Sequence, residues 1–372
     1  MKIHVGGGAL LNFSSNDYLG LSNEPWMKKA ACDAVKSYGT GSGASRLVCG
    51  TLPPHVALEA ALAVLKKTEA ALSFSSGYAT AVGVLTALCG KEDVIVLDKL
   101  CHASLIDGAR LSGAVLRIFP HNHVGKLESH LDWAREHHPE ARVVVVTESV
   151  FSMDGDRAPL AEIVEIKNRH GAMLLLDEAH AIGVLGDHGR GLAQLVGISA
   201  EVDIHMGTLS KALGGGGGYV AGSRDLIDLL INRARSFVYS TAPAPATAAA
   251  GEAAVQFLLT DEGEERRQQL AANIRLLAAG LPKVLRQPGK IQSAIIPLII
   301  GDERAAMVAA RWLRREGFWV PAIRYPTVSR GEARLRVTLT ALHTKAQIDA
   351  LCLALHRLAE RLRARKNNRP EQ

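Results

Sequence analysis

Five cysteines in 372 residues (Cys32, Cys49, Cys89, Cys101, Cys352) form no Cys-x-x-Cys pair, and an odd number cannot all pair internally. A disulfide scaffold and a bound structural metal are therefore not expected, and a reducing compartment such as the cytoplasm suits the chain. No uninterrupted apolar run approaches 18 residues. The longest, such as Ile295 to Ile300, has the length of a strand, so no membrane span is expected. The opening residues MKIHVGGGALLNF lack the apolar stretch of a signal peptide. A P-loop is also missing: the Gly-Lys pairs at Gly90, Gly125 and Gly289 are followed by Glu, Leu and Ile. That removes the nucleotide-driven motor that Asp177-Glu-Ala-His180 would otherwise suggest. The excess of one charge over the other is small as well. The net charge of +6 suits an anionic substrate, cofactor or carrier but is too weak to argue for nucleic acid.

What is present is an ordinary globular composition, 48% apolar and 22% charged, long enough for two or three folding units. Short apolar runs at 94–97, 143–147, 173–176, 202–206 and 219–221 read as buried strands. Helical patterns over 102–110 and 160–168 separate some of them. Continuous apolar strands alternating with helices indicate a largely parallel sheet covered on both faces, and such sheets bind ligands beyond their carboxyl ends. A second style begins near 265. A helix is expected over 264–285, a strand over 294–300, a helix over 303–315 and a half-buried antiparallel strand over 333–340. In that last strand Leu335, Val337 and Leu339 would face the core, with Arg334, Arg336 and Thr338 on the other side. A final helix starts near Lys345, and the tail from Arg363 is expected to be frayed. The boundaries drawn are an N-terminal arm at 1–30, a large domain at 31–265 and a small C-terminal domain at 266–372.

The chemistry-bearing residues sit at strand ends. Lys211 follows the 202–206 run, flanked by hydroxyls and a glycine run. A lysine there would be partly desolvated, which lowers its pKa and makes its amine nucleophilic. Asp177 closes a very apolar strand, where burial calls for a cationic partner, and His180 lies three residues on. Ser75-Ser-Gly-Tyr78 opens a helix whose amides could face an anion. His102 comes just after the 94–97 strand. A nucleophilic lysine, an acid and an anion cradle on one sheet edge are what pyridoxal 5′-phosphate requires.

Seven ordered motifs carry a resemblance that spans essentially the whole chain. They are NFSSNDYLGL from Asn12, Ser75-Ser-Gly-Tyr78, His102-Ala-Ser104, ESVFSMDG from Glu148, Asp177-Glu-Ala-His180, GTLSKA from Gly207 and AIRYPTV from Ala322. In these the chain resembles the α-oxoamine synthases. The resemblance implies an α/β fold of the fold type I, pyridoxal-phosphate-dependent transferase kind: a mostly parallel sheet sandwiched by helices, with a smaller C-terminal α+β domain. NFSSNDYLGL, AIRYPTV and ARLRVTLTALHT look most like the branch that condenses L-alanine with a pimeloyl thioester, carried on CoA or on acyl-carrier protein, on the way to biotin. A glycine and acetyl-CoA ligase is the nearest alternative within the family, and a non-catalytic scaffold is the alternative outside it.

The same resemblance assigns roles. Lys211 would bind the cofactor covalently and act as general base. Asp177 would pair with the pyridinium nitrogen, His102 would stack on the ring, and His180 and Ser152 would sit near its phenolic oxygen. Gly77 and Tyr78 amides with the Thr208 hydroxyl would hold the phosphate, and in a homodimer Ser240 and Thr241 would reach the partner's cofactor phosphate. Arg324 would clamp the substrate carboxylate. Thr327 would lie near the acyl substrate, with Asn16 and Glu148 further substrate-site residues. Family members carry a further N-terminal segment with an arginine near the acyl thioester. Here that segment is expected to be missing, so that either the start is truncated or the acyl tunnel is more open.

Overall fold

A computed structural model describes residues 2–285 and 291–367. It divides into two compact units, each built from separate stretches of chain. One comprises Gly20–Phe151 and Arg157–Glu265, the other Met1–Leu19, Ser152–Asp156 and Arg266–Gln372. The stretch treated as an arm is thus split after Leu19 rather than after residue 30.

The larger unit is organised by a seven-stranded sheet. Its order is Ala70–Phe74, Gly218–Gly222, Ile204–Thr208, Met173–Asp177, Val143–Glu148, Val94–Asp98 and Val115–Phe119. All strands run parallel except Gly218–Gly222, which lies antiparallel to both neighbours. Alternate side chains feed two separate cores. Ile95, Leu97, Val144, Val146 and Leu175 pack under the helices Gly77–Leu88, Ala103–Ser112 and Arg224–Arg233. Val94, Val96, Val145, Leu174 and Leu176 pack under Val124–His137 and Leu160–Arg169. Burial on both faces is why these strands read as unbroken apolar runs. The edge strand Val115–Phe119 escaped the sequence reading because Arg117 interrupts it. Its guanidinium stacks 3.7 Å over the Trp133 ring, an arrangement only the fold supplies. The 202–206 strand starts two residues later than expected, at Ile204. Asp203 is held outside the ladder, where its carboxylate accepts the Leu174 N–H and the Lys167 ammonium.

Close approach shapes two helix contacts. A Cβ at Gly108 would fall 2.9 Å from the Ala81 carbonyl, so glycine lets the helices Gly77–Leu88 and Ala103–Ser112 cross tightly. One at Gly83 would fall 3.0 Å from the Phe74 ring.

The other unit holds two three-stranded sheets. One joins Lys2–Val5, Gly8–Asn12 and Phe318–Trp319; the other joins Ile295–Gly301, Ala333–Thr338 and Ala322–Ile323. The long helix is Asp261–Gly280, ending five residues short of the expected limit. Pro282 follows, and the residue before a proline avoids the helical region. The strand Ala333–Thr338 is antiparallel as read but buried on both faces rather than half-buried. Arg334 and Arg336 are 4% and 6% exposed, so they do not face solvent. Arg334 pairs with Asp154 at 2.5 Å. The Arg336 guanidinium donates to the Ser152 carbonyl (2.7 Å), to Thr338 Oγ1 (2.9 Å) and to Asn16 Oδ1 (3.2 Å). The last helix is Lys345–Asn367, so the expected fraying does not begin at Arg363; residues 368–372 lie outside the described residues.

Candidate active site

The parallel strands of the larger unit deliver their last residues to one edge of the sheet. A cavity of about 260 Å³ there is lined by Ser76, Gly77, Tyr78, His102, Ser104, Glu148, Asp177, His180, Met206, Thr208, Ser210 and Lys211, among others. Eight of the residues expected from sequence are thus gathered in one place: Gly77, Tyr78, His102, Glu148, Asp177, His180, Thr208 and Lys211.

Asp177 is the final residue of its strand and is 5% exposed. One carboxylate oxygen accepts the Ala179 N–H at 2.8 Å. Burial raises its pKa against the opposing pull of Lys211. A buried carboxylate in that position is suited to a cation placed in the cavity. Glu148 ends the neighbouring strand and is in register with Asp177. Burial, reinforced by the Asp177 charge, pushes its pKa up to about 8. Its Oε1 accepts the His102 N–H at 2.5 Å.

His102 caps the helix Ala103–Ser112. Its Nδ1 accepts the Ser104 N–H at 3.2 Å and lies 2.8 Å from Ser104 Oγ. An accepting Nδ1 assigns the proton to Nε2. Burial lowers this imidazole's pKa, and Lys211 lowers it further. Lys211 Nζ lies 2.9 Å from His180 Nε2, which places the amine at the cavity wall.

Another part of the cavity lining is built for an anion. Gly77–Leu88 is a helix of 12 residues, and Ser76 Oγ caps it by accepting the Ala79 N–H at 3.0 Å. Its N-terminus lies beside Thr208: a Cβ at Gly77 would sit 3.5 Å from the Thr208 Cβ. The hydroxyls of Thr208 and Ser210 are 2.8 Å apart. The close approach needs Gly218, because a Cβ there would fall 2.7 Å from the Gly77 Cα. Amide dipoles and hydroxyls converging this way form a phosphate cradle. Ser104 and Ser210 stood within motifs read from the sequence but were given no role there. Their signal was position: Ser210 lies two residues beyond Thr208 at its strand end, and Ser104 two residues beyond His102 at a helix start.

An anion cradle, a buried carboxylate and a primary amine in one cavity fit the phosphate, ring nitrogen and aldehyde of pyridoxal phosphate. Among the described residues no group of three or more His, Cys, Asp or Glu is arranged to hold a metal. Ser240 and Thr241 lie outside this lining, in the segment between the short helix Arg235–Val238 and the helix Pro245–Leu258; Thr241 is bridged to Ser45. Asn16, Ser152, Arg324 and Thr327 belong to the other unit. There Asn16 Oδ1 and the Ser152 carbonyl accept from Arg336, whereas Arg324 and Thr327 lie exposed around a turn closed by Thr327 N–H to Arg324 O at 3.0 Å.

Fold and cavity together define a fold type I pyridoxal-phosphate enzyme. The family model "Aminotransferase class I and II" matches residues 9–355. The 8-amino-7-oxononanoate synthase of Anaeromyxobacter dehalogenans (strain 2CP-1) is 50% identical over 95% of this chain and 87% of its own length. That of Geobacter sulfurreducens is 46% identical over 97% and 92%. Among solved structures, a serine palmitoyltransferase from S. paucimobilis with bound PLP and myriocin superposes with a TM-score of 0.93 at 30% identity, covering 98% of this chain and 90% of that one. An 8-amino-7-oxononanoate synthase from Francisella tularensis gives 0.80 at 28% identity, covering 96% and 99%. The chain belongs to the class I and II aminotransferase family and, within it, to the 8-amino-7-oxononanoate synthases.

Proposed function

We propose that the chain condenses L-alanine with a pimeloyl thioester, releasing CO₂ and the free thiol and giving 8-amino-7-oxononanoate for biotin biosynthesis. The observation that carries the chemistry is Lys211 Nζ at 2.9 Å from His180 in a cavity that Asp177 also lines. Pyridoxal phosphate, when bound, supplies an electron sink for negative charge at the amino-acid α-carbon, first on loss of its proton and then on loss of CO₂.

The residues of the chain do the rest. The Lys211 amine removes the α-proton of alanine and returns a proton to that carbon after decarboxylation. The Asp177 carboxylate holds the ring nitrogen in its protonated state, and that cation in turn relieves the cost of burying the acid. The His102 imidazole, whose proton-bearing nitrogen is Nε2, would cover one face of the bound ring. Gly77 and Tyr78 amides with the Thr208 hydroxyl neutralise the phosphate, and the Ser210 hydroxyl beside Thr208 adds a further donor. His180 serves the phenolic-oxygen edge. From the resemblance alone, Ser152 serves the same edge, and Asn16, Arg324 and Thr327 are assigned to the substrates. Ser240 and Thr241 are assigned to the cofactor phosphate of a partner in a homodimer. A cytoplasmic location is part of the same proposal. Among the described residues no helix is long and apolar enough to cross a membrane.

The test is release of thiol and CO₂ by the cofactor-loaded protein in two mixtures. One holds L-alanine with pimeloyl-CoA or pimeloyl-acyl-carrier protein, the other glycine with acetyl-CoA. Turnover with the first pair alone is expected. Turnover with the second alone would move the chain to the glycine branch, and failure of both would defeat the proposal.

A further inference from the structure

Glu148 and Asp177 end adjacent parallel strands in register, both buried and both lining the cavity. Asp177 has a use there, as the partner of a cation. A second carboxylate beside it is an electrostatic cost that must be offset by something else. Among the described residues the one polar contact of the Glu148 side chain points away from substrate chemistry. Its Oε1 accepts the backbone N–H of His102 at 2.5 Å, across 46 residues of sequence. His102 is the residue at which the loop after the strand Val94–Asp98 becomes the helix Ala103–Ser112. Its ring is held from the other side by Ser104, through the Ser104 N–H and Oγ. The imidazole on the cavity wall therefore has two anchors. Ser104 fixes the side chain, and Glu148 fixes the main chain from which it springs.

We propose that Glu148 is a positioning residue, whose carboxyl oxygen fixes the His102 main chain and through it the imidazole that lines the cofactor cavity. The charged and titratable groups facing it are Asp177 on the next strand, Lys211 beyond the strand after that, Asp98 at the end of the strand on the other side, and His102 on the connection that follows Asp98. Burial and Asp177 outweigh Lys211 and hold the carboxyl protonated through neutral pH, with a pKa of about 8. Accepting an N–H needs only a carbonyl-type oxygen, so the neutral acid does the work and the negative charge is not required. What the ring covers rests on the function proposed above; the placement of the ring does not.

The experiment compares Glu148→Gln, Glu148→Leu, His102→Ala and the Glu148→Leu/His102→Ala double variant, each loaded with pyridoxal phosphate. The readouts are visible circular dichroism of the bound cofactor, cofactor retention on dialysis, and kcat and KM for L-alanine. Glu148→Gln keeps an acceptor oxygen and is expected to keep the wild-type dichroism and a kcat within about threefold. Glu148→Leu is expected to retain cofactor but lose most of the dichroic signal and, as a displaced group does, on the order of 100-fold in kcat. Added to His102→Ala, the leucine change should cost little more, because the two residues act as one unit. Three results would overturn the proposal. A glutamine variant as impaired as the leucine variant would mean that the charge itself is needed. A rise in alanine KM with kcat and dichroism intact would make Glu148 a substrate ligand instead. Additive losses in the double variant would detach Glu148 from His102. Should the leucine variant fail to fold, the glutamine result decides between acceptor and charge. The dichroic readout needs no substrate, so it stands even where neither substrate pair turns over.

Discussion

An amine 2.9 Å from an imidazole nitrogen, in a cavity also lined by a carboxylate of raised pKa, makes Lys211 and Asp177 the residues on which most depends. Lys211→Ala should leave a protein that takes up pyridoxal phosphate only reversibly. Borohydride reduction followed by denaturation should then leave no cofactor on the chain, where the parent keeps one. Asp177→Asn should keep the cofactor but lower turnover by at least about 100-fold, since a neutral amide cannot hold the ring nitrogen protonated. A fully active Asp177→Asn variant would contradict the role. These two residues, with His102 and His180, were legible because each stands just beyond an apolar run, where a polar side chain has few structural uses. Arg334 and Arg336 were misplaced for a related reason. Strict alternation with leucine and valine is also how a strand with one wet face reads. Only the Ser152–Asp156 segment, which supplies the Ser152 carbonyl and the Asp154 carboxylate, turns those positions into a buried polar layer.

Elements bring the site together by close approach. The strand Ile204–Thr208 carries Thr208 to the cavity, and its neighbour Gly218–Gly222 lies flat against it because glycines face the bulky groups. A Cβ at Gly207 would fall 2.7 Å from the fully buried Tyr219 ring. Gly207→Ala should therefore lower stability by about 1–3 kcal/mol through overpacking, read as a reduced urea midpoint with unchanged m-value. Since Thr208 is the next residue, cofactor retention should fall with it. The sequence pattern located the central strands to within two residues. It missed Val115–Phe119, where an edge position lets a polar residue enter the run, and it overran the helix before Pro282. Periodicity reports which faces are buried and is blind to what lies beside an edge.

For the whole molecule the deciding quantity is buried charge. Glu178, next to Asp177 in sequence, is fully buried and pairs with Lys66 at 2.5 Å, and its carboxyl also accepts the Ala193 N–H at 3.1 Å. Burial opposes ionisation, but Lys66 and His205 prevail and hold its pKa down to about 2, below an ordinary 4.5. The pair therefore contributes stability that is complete above about pH 4.5 and is lost as pH falls toward 2, of order 3 kcal/mol in all. Urea unfolding of the parent and Glu178→Gln should differ clearly at pH 7 and converge near pH 2–3. A gap independent of pH would refute the assignment. Glu148 acts with the opposite sign: its raised pKa costs the cofactor-free protein stability progressively as pH climbs from 4.5 through about 8.

The sequence by itself determined the parallel sheet, the strand-end residues and the family. Each of these follows from local order: apolar runs of strand length, helices between them, and motifs a few residues long. The change of style near 265 was legible for the same reason. Only the tertiary structure decided that residues 1–19 and 152–156 join the C-terminal stretch. Phe318–Trp319 pairs with Leu11 and Asn12 across some three hundred residues, and no local pattern encodes that partner. Nor could the sequence say that Glu148 meets the His102 main chain. That contact exists because two parallel strands end at the same level, and register between distant strands is set by packing rather than by spacing along the chain.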